Sequence, residues 1–427
     1  MIPPLPYDLS KKRQQADYKD LSRLPLLNHL ETEKAKSRPD HKILDFITKR
    51  CWTWIYYYLK SRFLPNHSYP AYSGADNGIY TFSSAGSQNM NPVSIAVVAD
   101  WATNTDESCH IAQKIASHNP DYTIHMGDTY FVGARHEIAN NFLTEGSPWV
   151  RGKTGSFAIL GNHEMYAQGI SYFDDLIKTL GIRDVNTGIY GGQQTGFFCL
   201  ENEYWQIVGL DTGYHSIGKV PIFELIFQPD CHFDDILMKW LKDTLHSKTP
   251  GKKKGLLFIT HHQYFTAFHG ERGYQKPADQ LAELIGKDRA VIWLWGHEHK
   301  FSAFEKTRFG NGVTAYGRCI GHGGMPIELK GKSFIKSAKA KGSSKLIMAD
   351  TRQKTGTDDY PLGHNGYALI SILNEILKIG YYDEDNLLLE ETWKADESGE
   401  IKGIEVNVDP SFKKCIEPDK SWEQMIY

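Results

Sequence analysis

Side chains that can bind a metal ion end five apolar runs of this sequence. The runs IAVVAD, IHMGD, FAILGN and LFITH end at Asp100, Asp128, Asn162 and His261, and IWLWGHEH ends with His297 and His299. Short apolar runs are typical of buried β-strands. Polar residues just past the strands of an α/β sheet gather in one crevice at its edge. The spacing therefore predicts one metal site built from these side chains.

The types of side chain indicate which ions this site suits. Aspartate, asparagine and histidine, without thiolate, suit manganese, iron or zinc, whereas a structural zinc site draws on cysteine. A carboxylate can bridge two such ions about 3.5 to 4 Å apart, and the pair then stabilises the attacking and leaving oxygens of an in-line displacement. This is the chemistry of phosphoester hydrolysis.

The order of the motifs resembles that of the calcineurin-like metallophosphoesterases. After Asp100 come GD at residues 127–128, GNHE at 161–164, THHQ at 260–263 and GHEH at 296–299. The local form, with ADW at the first motif, is most similar to the purple acid phosphatase branch. The resemblance runs from about Ser94 to Pro326, and any one motif alone is weak.

The resemblance implies a fold, a reaction and cofactors. The fold would be α/β, a four-layer αββα sandwich of two mixed β-sheets, with an N-terminal helical extension. The protein would be a hydrolase that cleaves a phosphomonoester or phosphodiester by metal-activated water. It would use two divalent or trivalent metal ions, drawn from manganese, iron or zinc.

The resemblance also assigns roles to residues. Asp128 would bridge the two ions. The other ligands divide into Asp100 and His299 on one ion and Asn162, His261 and His297 on the second. His163 would face the scissile phosphate, either donating a proton to the leaving group or stabilising the transition state. Glu164 would orient an imidazole.

Two positions depart from the family pattern at the first ion. Ala102 stands where the family has His or Gly, and Phe131 stands where purple acid phosphatases have a tyrosine. Tyr130 is adjacent, but alternation of side chains in an extended segment would point it elsewhere. The first site is thus predicted to be one protein ligand short. Either water would fill the gap, or a local bulge would bring Tyr130 into it, or the site would bind its ion weakly. Without a tyrosinate on ferric iron, the protein should not be purple.

Other polar residues are candidates for the substrate pocket. His262 follows the predicted ligand His261, and Tyr264 follows in the same segment. Arg135 is a candidate phosphate clamp, because a guanidinium pairs bidentately with phosphate oxygens. His262 and Tyr264 are equally compatible with a structural role, whereas the surface role that lone arginines commonly have is favoured for Arg135.

A second function of another class is compatible with the sequence. A chain that keeps the fold but has lost catalysis would act as a scaffold that binds a partner. The predicted gap at the first metal site favours this alternative. The presence of His163 and of every predicted ligand of the second ion argues against it.

The sequence predicts three segments. Residues 1–90 read as an extension, with an aromatic helix at CWTWIYYYL (51–59) and a Gly, Ser and Asn-rich linker. In residues 91–395, short strands alternate with helices, which predicts an α/β core; the resemblance implies that this segment is the metallophosphoesterase domain. Residues 396–427 are predicted to be a C-terminal tail.

Composition limits the classes of partner and compartment. At 427 residues and 41% hydrophobic content, the chain can bury a core without disulfides, and its six cysteines are scattered. The net charge of -3 gives no indication of nucleic-acid binding. The stretch 51–59 is too short to span a bilayer, and no signal peptide is recognised. A cytoplasmic protein with a phosphate-ester substrate is expected.

Overall fold

The computed structural model describes residues 56–57, 61, 63–82, 91–217, 231–245, 253–268, 272–327, 329, 346–354 and 361–415. Within them, two mixed β-sheets face each other and helices cover their outer surfaces. This is the four-layer α/β sandwich that the sequence predicts. Most of the predicted aromatic helix at 51–59 lies outside the described residues; Tyr56 and Tyr57 are helical. Among the residues described, no helix has the length and apolar character needed to cross a membrane.

The first sheet, here called sheet A, has eight described strands. In spatial order they are β1 (Ile79–Thr81), β7 (Phe198–Glu201), β8 (Trp205–Gly209), β9 (Gly255–Thr260), β10 (Ala290–Trp295), β12 (Thr314–Ile320), β11 (Phe301–Thr307) and β13 (Leu346–Ala349). Strands β8, β9, β10 and β12 are parallel, and β11 and β13 continue the sheet in antiparallel pairs.

The second sheet, here called sheet B, has nine described strands. In spatial order they are β17 (Ile401–Val408), β16 (Leu387–Ala395), β15 (Ile376–Asp383), β14 (Gly366–Leu373), β2 (Val93–Val98), β3 (Tyr122–His125), β4 (Gly155–Ala158), β5 (Gly181–Arg183) and β6 (Tyr190–Gly192). Strands β2, β3 and β4 are parallel, and their neighbours on either side are antiparallel.

The helices lie on the outer faces of the sheets. Their bounds are α1 (Asp106–Ser117), α2 (Arg135–Ile138), α3 (Asn162–Tyr166), α4 (Asp235–Leu245) and α5 (Gln275–Ile285). Short helical turns follow at Ala139–Leu143, Tyr172–Leu176, Ile177–Thr179 and Lys413–Cys415. Helix α1 begins at a capping box, in which Thr105 and Ser108 bind each other's backbone N–H.

Alternation along the central strands separates the cores of the layers. In β2, Ile95 and Val97 are buried between the sheets, whereas Ala96 and Val98 are buried beneath the helices. Strand β9 alternates in the same way between the inter-sheet core and the outer core of sheet A. Strands buried on both faces give continuous apolar runs, as the sequence shows.

Two predicted boundaries are corrected by the structure. Residues 65–82, here called the strap, pack on the domain instead of serving as a linker, and β1 in the strap pairs in parallel with β7. The predicted C-terminal tail contains β17, which pairs with β16 after a turn at Asp396. Strand β1 was not predicted because it has only three residues and lies in a Gly and Ser-rich segment. Strand β17 was missed although IKGIEVNV alternates between apolar and polar residues, which is a strand signal.

Sheet topology brings the predicted ligands together. Strands β2, β3 and β4 in sheet B are parallel to each other, as are β9 and β10 in sheet A. All five strands are followed directly by the metal-binding motifs of the sequence. Parallel strands place their carboxyl ends at one edge, so the motif loops of each sheet converge there.

Candidate metal centre

Three of the predicted ligands stand in unusual backbone conformations. Asp100, Asp128 and His297 have φ values of 54°, 68° and 66°, in the left-handed region that non-glycine residues rarely adopt. Such conformations persist where the surrounding structure enforces them, often at functional sites. The loops after β2, β3 and β10 are thus shaped to present these side chains.

The glycines of the GNHE and GHEH motifs leave room for the carboxylates. A Cβ atom on Gly161 would lie 2.2 Å from Oδ1 of Asp128, and one on Gly296 would lie 2.6 Å from Oδ2 of Asp100. Any side chain at either position would displace a carboxylate. The motif glycines are therefore required by close packing against the site.

One half of the site is organised around Tyr130. Its hydroxyl lies 2.7 Å from Oδ1 of Asp100, 3.2 Å from Oδ2 of Asp128 and 2.8 Å from Nε2 of His299. Nε2 of His299 is also 3.6 Å from Oδ1 of Asp100. Four oxygen or nitrogen donors thus converge at this place.

The expectation that Tyr130 points away from the site is wrong. Alternation applies to an extended segment, but β3 ends at His125, and the chain turns at Gly127 and Asp128, both of which have positive φ. The backbone N–H of Tyr130 then binds the carbonyl of Ala102 at 3.1 Å. This turn carries the Tyr130 side chain inward, where it is only 3% exposed.

The other half of the site is centred on His261. Its Nε2 lies 3.1 Å from Oδ1 of Asn162 and 3.2 Å from Oδ2 of Asp128. Its Nδ1 lies 3.0 Å from the carbonyl oxygen of Met126, so Nδ1–H donates there and Nε2 faces the site. The ring of His297 packs edge-on to His261 with centroids 5.3 Å apart.

His163 lies beside the same carboxylate. Its backbone N–H donates to Oδ1 of Asp128 at 2.9 Å, and its Nδ1 is 2.5 Å from the carbonyl oxygen of Phe131. Donation from Nδ1–H leaves Nε2 directed at the site, 3.6 Å from Oδ2 of Asp128. The imidazole is partly exposed, as a group that meets a substrate must be.

Glu164 supports backbone rather than an imidazole, which corrects the prediction. Its Oε2 accepts hydrogen bonds from the backbone N–H of Gly161 at 2.9 Å and of Asp128 at 3.2 Å. Glu164 is the third residue of α3, where a carboxylate reaches back to the N–H of the residue before the helix. It thereby joins two motif loops.

The buried carboxylates of this site require compensating positive charge. Asp100 is 0% exposed and Asp128 is 1% exposed. Burial opposes ionisation of Asp128, but His163 and His261 outweigh it and hold its pKa well below the usual range. Burial likewise lowers the pKa of His261, yet the two carboxylates raise it to about 9. Without a metal, protonated imidazole supplies the positive charge that these carboxylates require.

The donor set fits a pair of metal ions. Ligand atoms of Asp100, Asp128 and His261 lie within 4.8 Å of one another, and so do those of His261, His262 and His297. Both groups contain His261, as expected for a site that holds two neighbouring ions. Carboxylate, phenol, amide and imidazole donors match the ions that the sequence indicates.

Two further predicted residues are placed differently. Nε of the exposed Arg135 forms an ion pair with Asp175 at 3.0 Å, so the structure commits this guanidinium to a partner other than the metal ligands. His262 is 2% exposed and packs between His261 and His297, so it belongs to the site. Burial, reinforced by the charge of the neighbouring imidazoles, lowers the pKa of His262 well below its usual value.

Sequence reasoning missed Thr212. Its Oγ1 lies 3.0 Å from both the backbone nitrogen and Nδ1 of His262. The available signal was the run VGLDT (208–212) at the end of β8, where an apolar strand is followed by polar residues as in the predicted metal-binding motifs. The adjacent Asp211 supports the backbone of this turn, since its carboxylate accepts the N–H groups of Gly213 and Tyr214.

Comparison with known proteins identifies the family. Residues 93–301 match the family model of the calcineurin-like phosphoesterases. These residues are therefore a calcineurin-like phosphoesterase domain, and the family prediction is confirmed. Comparison with curated protein sequences gives no match.

Solved structures that align with this chain have low sequence identity. GAP50, the anchor in the inner membrane complex of Plasmodium, aligns at a TM-score of 0.43 and 12% identity, covering 73% of this chain and 90% of that chain. The yellow lupin purple acid phosphatase PPD1 aligns at 0.42 and 13%, covering 71% and 53%. PhoD aligns at 0.42 and 10%, covering 75% and 73%.

Proposed function

We propose that this protein is a dinuclear metal-dependent phosphoesterase. The observation that carries the proposal is the pair of fully buried carboxylates, Asp100 and Asp128, ringed by imidazole, amide and phenol donors. An arrangement that only stabilised the fold would gain little from burying two ionised carboxylates against three imidazoles, because a buried ion pair rarely stabilises a fold more than well-packed apolar residues do.

The proposed ligands follow the two halves of the site. Asp128 lies between the halves and would bind both ions. Asp100, Tyr130 and His299 would hold the first ion, and Asn162, His261 and His297 would hold the second. Bound metal would supply a nucleophile at neutral pH and positive charge for the phosphoryl oxygens.

His163 is the proposed catalytic residue outside the ligand set. Donation of its Nδ1–H to the carbonyl of Phe131 fixes the ring, and Nε2 remains available at the exposed side of the site. From there it can place a proton on the leaving oxygen or stabilise charge on the phosphoryl group. Manganese, iron and zinc remain candidates for the native ions, and monoesters and diesters for the substrate.

The scaffold alternative depended on a gap at the first ion. Tyr130 lies where the missing ligand was expected, so that argument loses its basis. A scaffold would still bind partners without hydrolysing phosphoesters. Loss of turnover on His163→Ala distinguishes the enzyme from the scaffold.

The test combines metal analysis with hydrolysis of p-nitrophenyl phosphate and bis(p-nitrophenyl) phosphate after addition of manganese, iron or zinc. We expect about two metals per chain and turnover that falls more than about 100-fold in Asp128→Asn, since even the hydrogen-bonding partners of ligands are worth about 10–100-fold. Asp288→Asn is the matched control, because that carboxylate is 95% exposed. Wild-type protein that binds fewer than two ions and shows no turnover would refute the proposal.

A further inference from the structure

His262 stands out because neither the family pattern nor the proposed ligand set uses it. It is the second histidine of THHQ, directly after His261 at the end of β9. Its side chain is 2% exposed, and its ring centroid lies 4.7 Å from that of His297 and 4.9 Å from that of His261. An imidazole this deep in a cation site is placed for contact with the ion.

The ring nitrogens have separate surroundings. Nδ1 lies 3.0 Å from Oγ1 of Thr212, a buried hydroxyl that also receives the backbone N–H of His262 at 3.0 Å. When Nδ1–H donates to this oxygen, Nε2 carries the lone pair. A hydroxyl that fixes the tautomer and orientation in this way is typical of the partner of a metal-ligating histidine.

The distances fit one ion. Ligand atoms of His261, His262 and His297 lie within 4.8 Å of one another. Two nitrogens at about 2.1 Å from one metal are at most about 4.2 Å apart. Small rotations of the imidazoles that move each Nε2 by a few tenths of an ångström would bring the three nitrogens within bonding distance of one ion.

We propose that Nε2 of His262 is an additional ligand of the second metal ion, oriented by Thr212. This inference rests on the proposed function, because it presumes that the second ion binds. Three imidazoles would then hold that ion together with Asn162 and Asp128. A nitrogen-rich set favours zinc, cobalt or iron over manganese, which prefers oxygen ligands. The two positions would therefore differ in metal preference.

The first test measures zinc affinity of the full-length protein by competition with a chelator. In His262→Ala, we expect zinc binding at the position of the second ion to lose at least about tenfold in affinity, and in Thr212→Val a loss of about tenfold. His118→Ala is the matched control, since that ring contacts Tyr367 and Tyr382. Unchanged zinc affinity in a folded His262→Ala protein would overturn the inference, even if inhibition by inorganic phosphate weakened.

A second test gives a positive signal and does not depend on the alanine variant. Cobalt-loaded His262→Cys should gain a thiolate-to-cobalt charge-transfer band that is absent from wild-type protein and from His118→Cys, because a cysteine at a ligand position binds as thiolate. Absence of the band in protein that holds two cobalt ions would reject the inference and leave the proposed function intact. Failure of the wild-type protein to bind two ions would instead reject the proposed function.

Discussion

The two sheets supply different chemistry to the same site. Side chains after the strands of sheet B provide oxygen donors, and those after the strands of sheet A provide nitrogen donors. The oxygen set is Asp100, Asp128, Tyr130 and Asn162, and the nitrogen set is His261, His262, His297 and His299. In the proposed site, sheet B would thus provide the negative charge that attracts a cation, and sheet A would provide ligands that discriminate among metals.

This division means that neither half is a site alone. The hydrogen bonds from His261 to Asn162 and from His299 to Tyr130 cross from one sheet to the other. Metal binding should therefore depend on whatever holds the sheets together. Breaking a contact that holds the two sheets together should be measured as a loss of stability. Altering one half of the site should be measured as a change in metal binding.

The largest expected effect on stability comes from a buried ion pair that joins the two sheets. Arg318 on β12 and Glu391 on β16 form a fully buried ion pair at 2.6 Å, and Tyr381 donates to Glu391 at 2.9 Å. Glu391→Gln leaves an uncompensated buried cation, so we expect a loss of about 3–5 kcal/mol in the free energy of unfolding measured by urea denaturation.

The neighbouring Glu390 provides the control. It pairs with Lys378 at a partly exposed position of the same strand, and Glu390→Gln should cost less than about 1 kcal/mol. Equal losses for the two glutamine variants would show that the buried pair does not join the sheets. Glu391→Gln should also retain metal less well than wild type, although it touches no ligand.

The next effect sharpens the contrast between the halves. Tyr130→Phe removes one oxygen donor from the sheet B set and leaves the imidazoles in place. We expect the ferric wild-type protein to absorb visible light through tyrosinate-to-iron charge transfer, and the variant to lose this band and about tenfold in affinity for the first ion. This expectation replaces the colourless protein that the sequence predicts.

Tyr264→Phe is the comparison variant, because the Tyr264 hydroxyl binds the carbonyl of Phe309 outside the ligand set. It should keep the visible band. A colourless ferric wild-type protein with two bound ions would mean that Tyr130 stays protonated. In the metal-free site, burial and then the neighbouring carboxylates raise the pKa of Tyr130 well above its ordinary value.

The smallest effect concerns a cluster of ion pairs at a turn of sheet B. Glu384, at the β15–β16 turn, pairs with Lys354 and with His364 at 3.0 Å. Burial opposes ionisation of Glu384, but these partners outweigh it and lower its pKa from 4.5 to about 2. Its contribution is thus complete above pH 4.5 and is lost as pH falls towards 2.

The measurement is the free energy of unfolding between pH 5 and pH 3. We expect stability to fall less steeply with acid in Glu384→Gln than in wild type, because the variant has lost this group's proton uptake on unfolding. If the free energy of unfolding falls equally steeply with pH in the variant and in wild type, the ion pairs of Glu384 contribute nothing to stability.

The ordered ligands were predictable because each follows a buried strand, and the resemblance supplied their order. Tyr130 was not, since the alternation rule assumes an extended chain and the backbone turns at Asp128. Thr212 and the Arg318–Glu391 pair depend on contacts between distant segments, which one sequence does not reveal. The roles of His163 and of the ligands remain predictions, as does a cytoplasmic location.

The strap gives the domain a different beginning from the one that homology suggests. The family match starts at residue 93, yet His67 and Gln168 share a backbone hydrogen bond of 2.9 Å, and Tyr72 donates to the carbonyl of Phe197 at 2.7 Å. A protein cut at the family boundary would leave β7 as an open edge and uncover aromatic rings of the outer core. The packed domain is therefore longer than the segment that the family model matches, because it includes the strap.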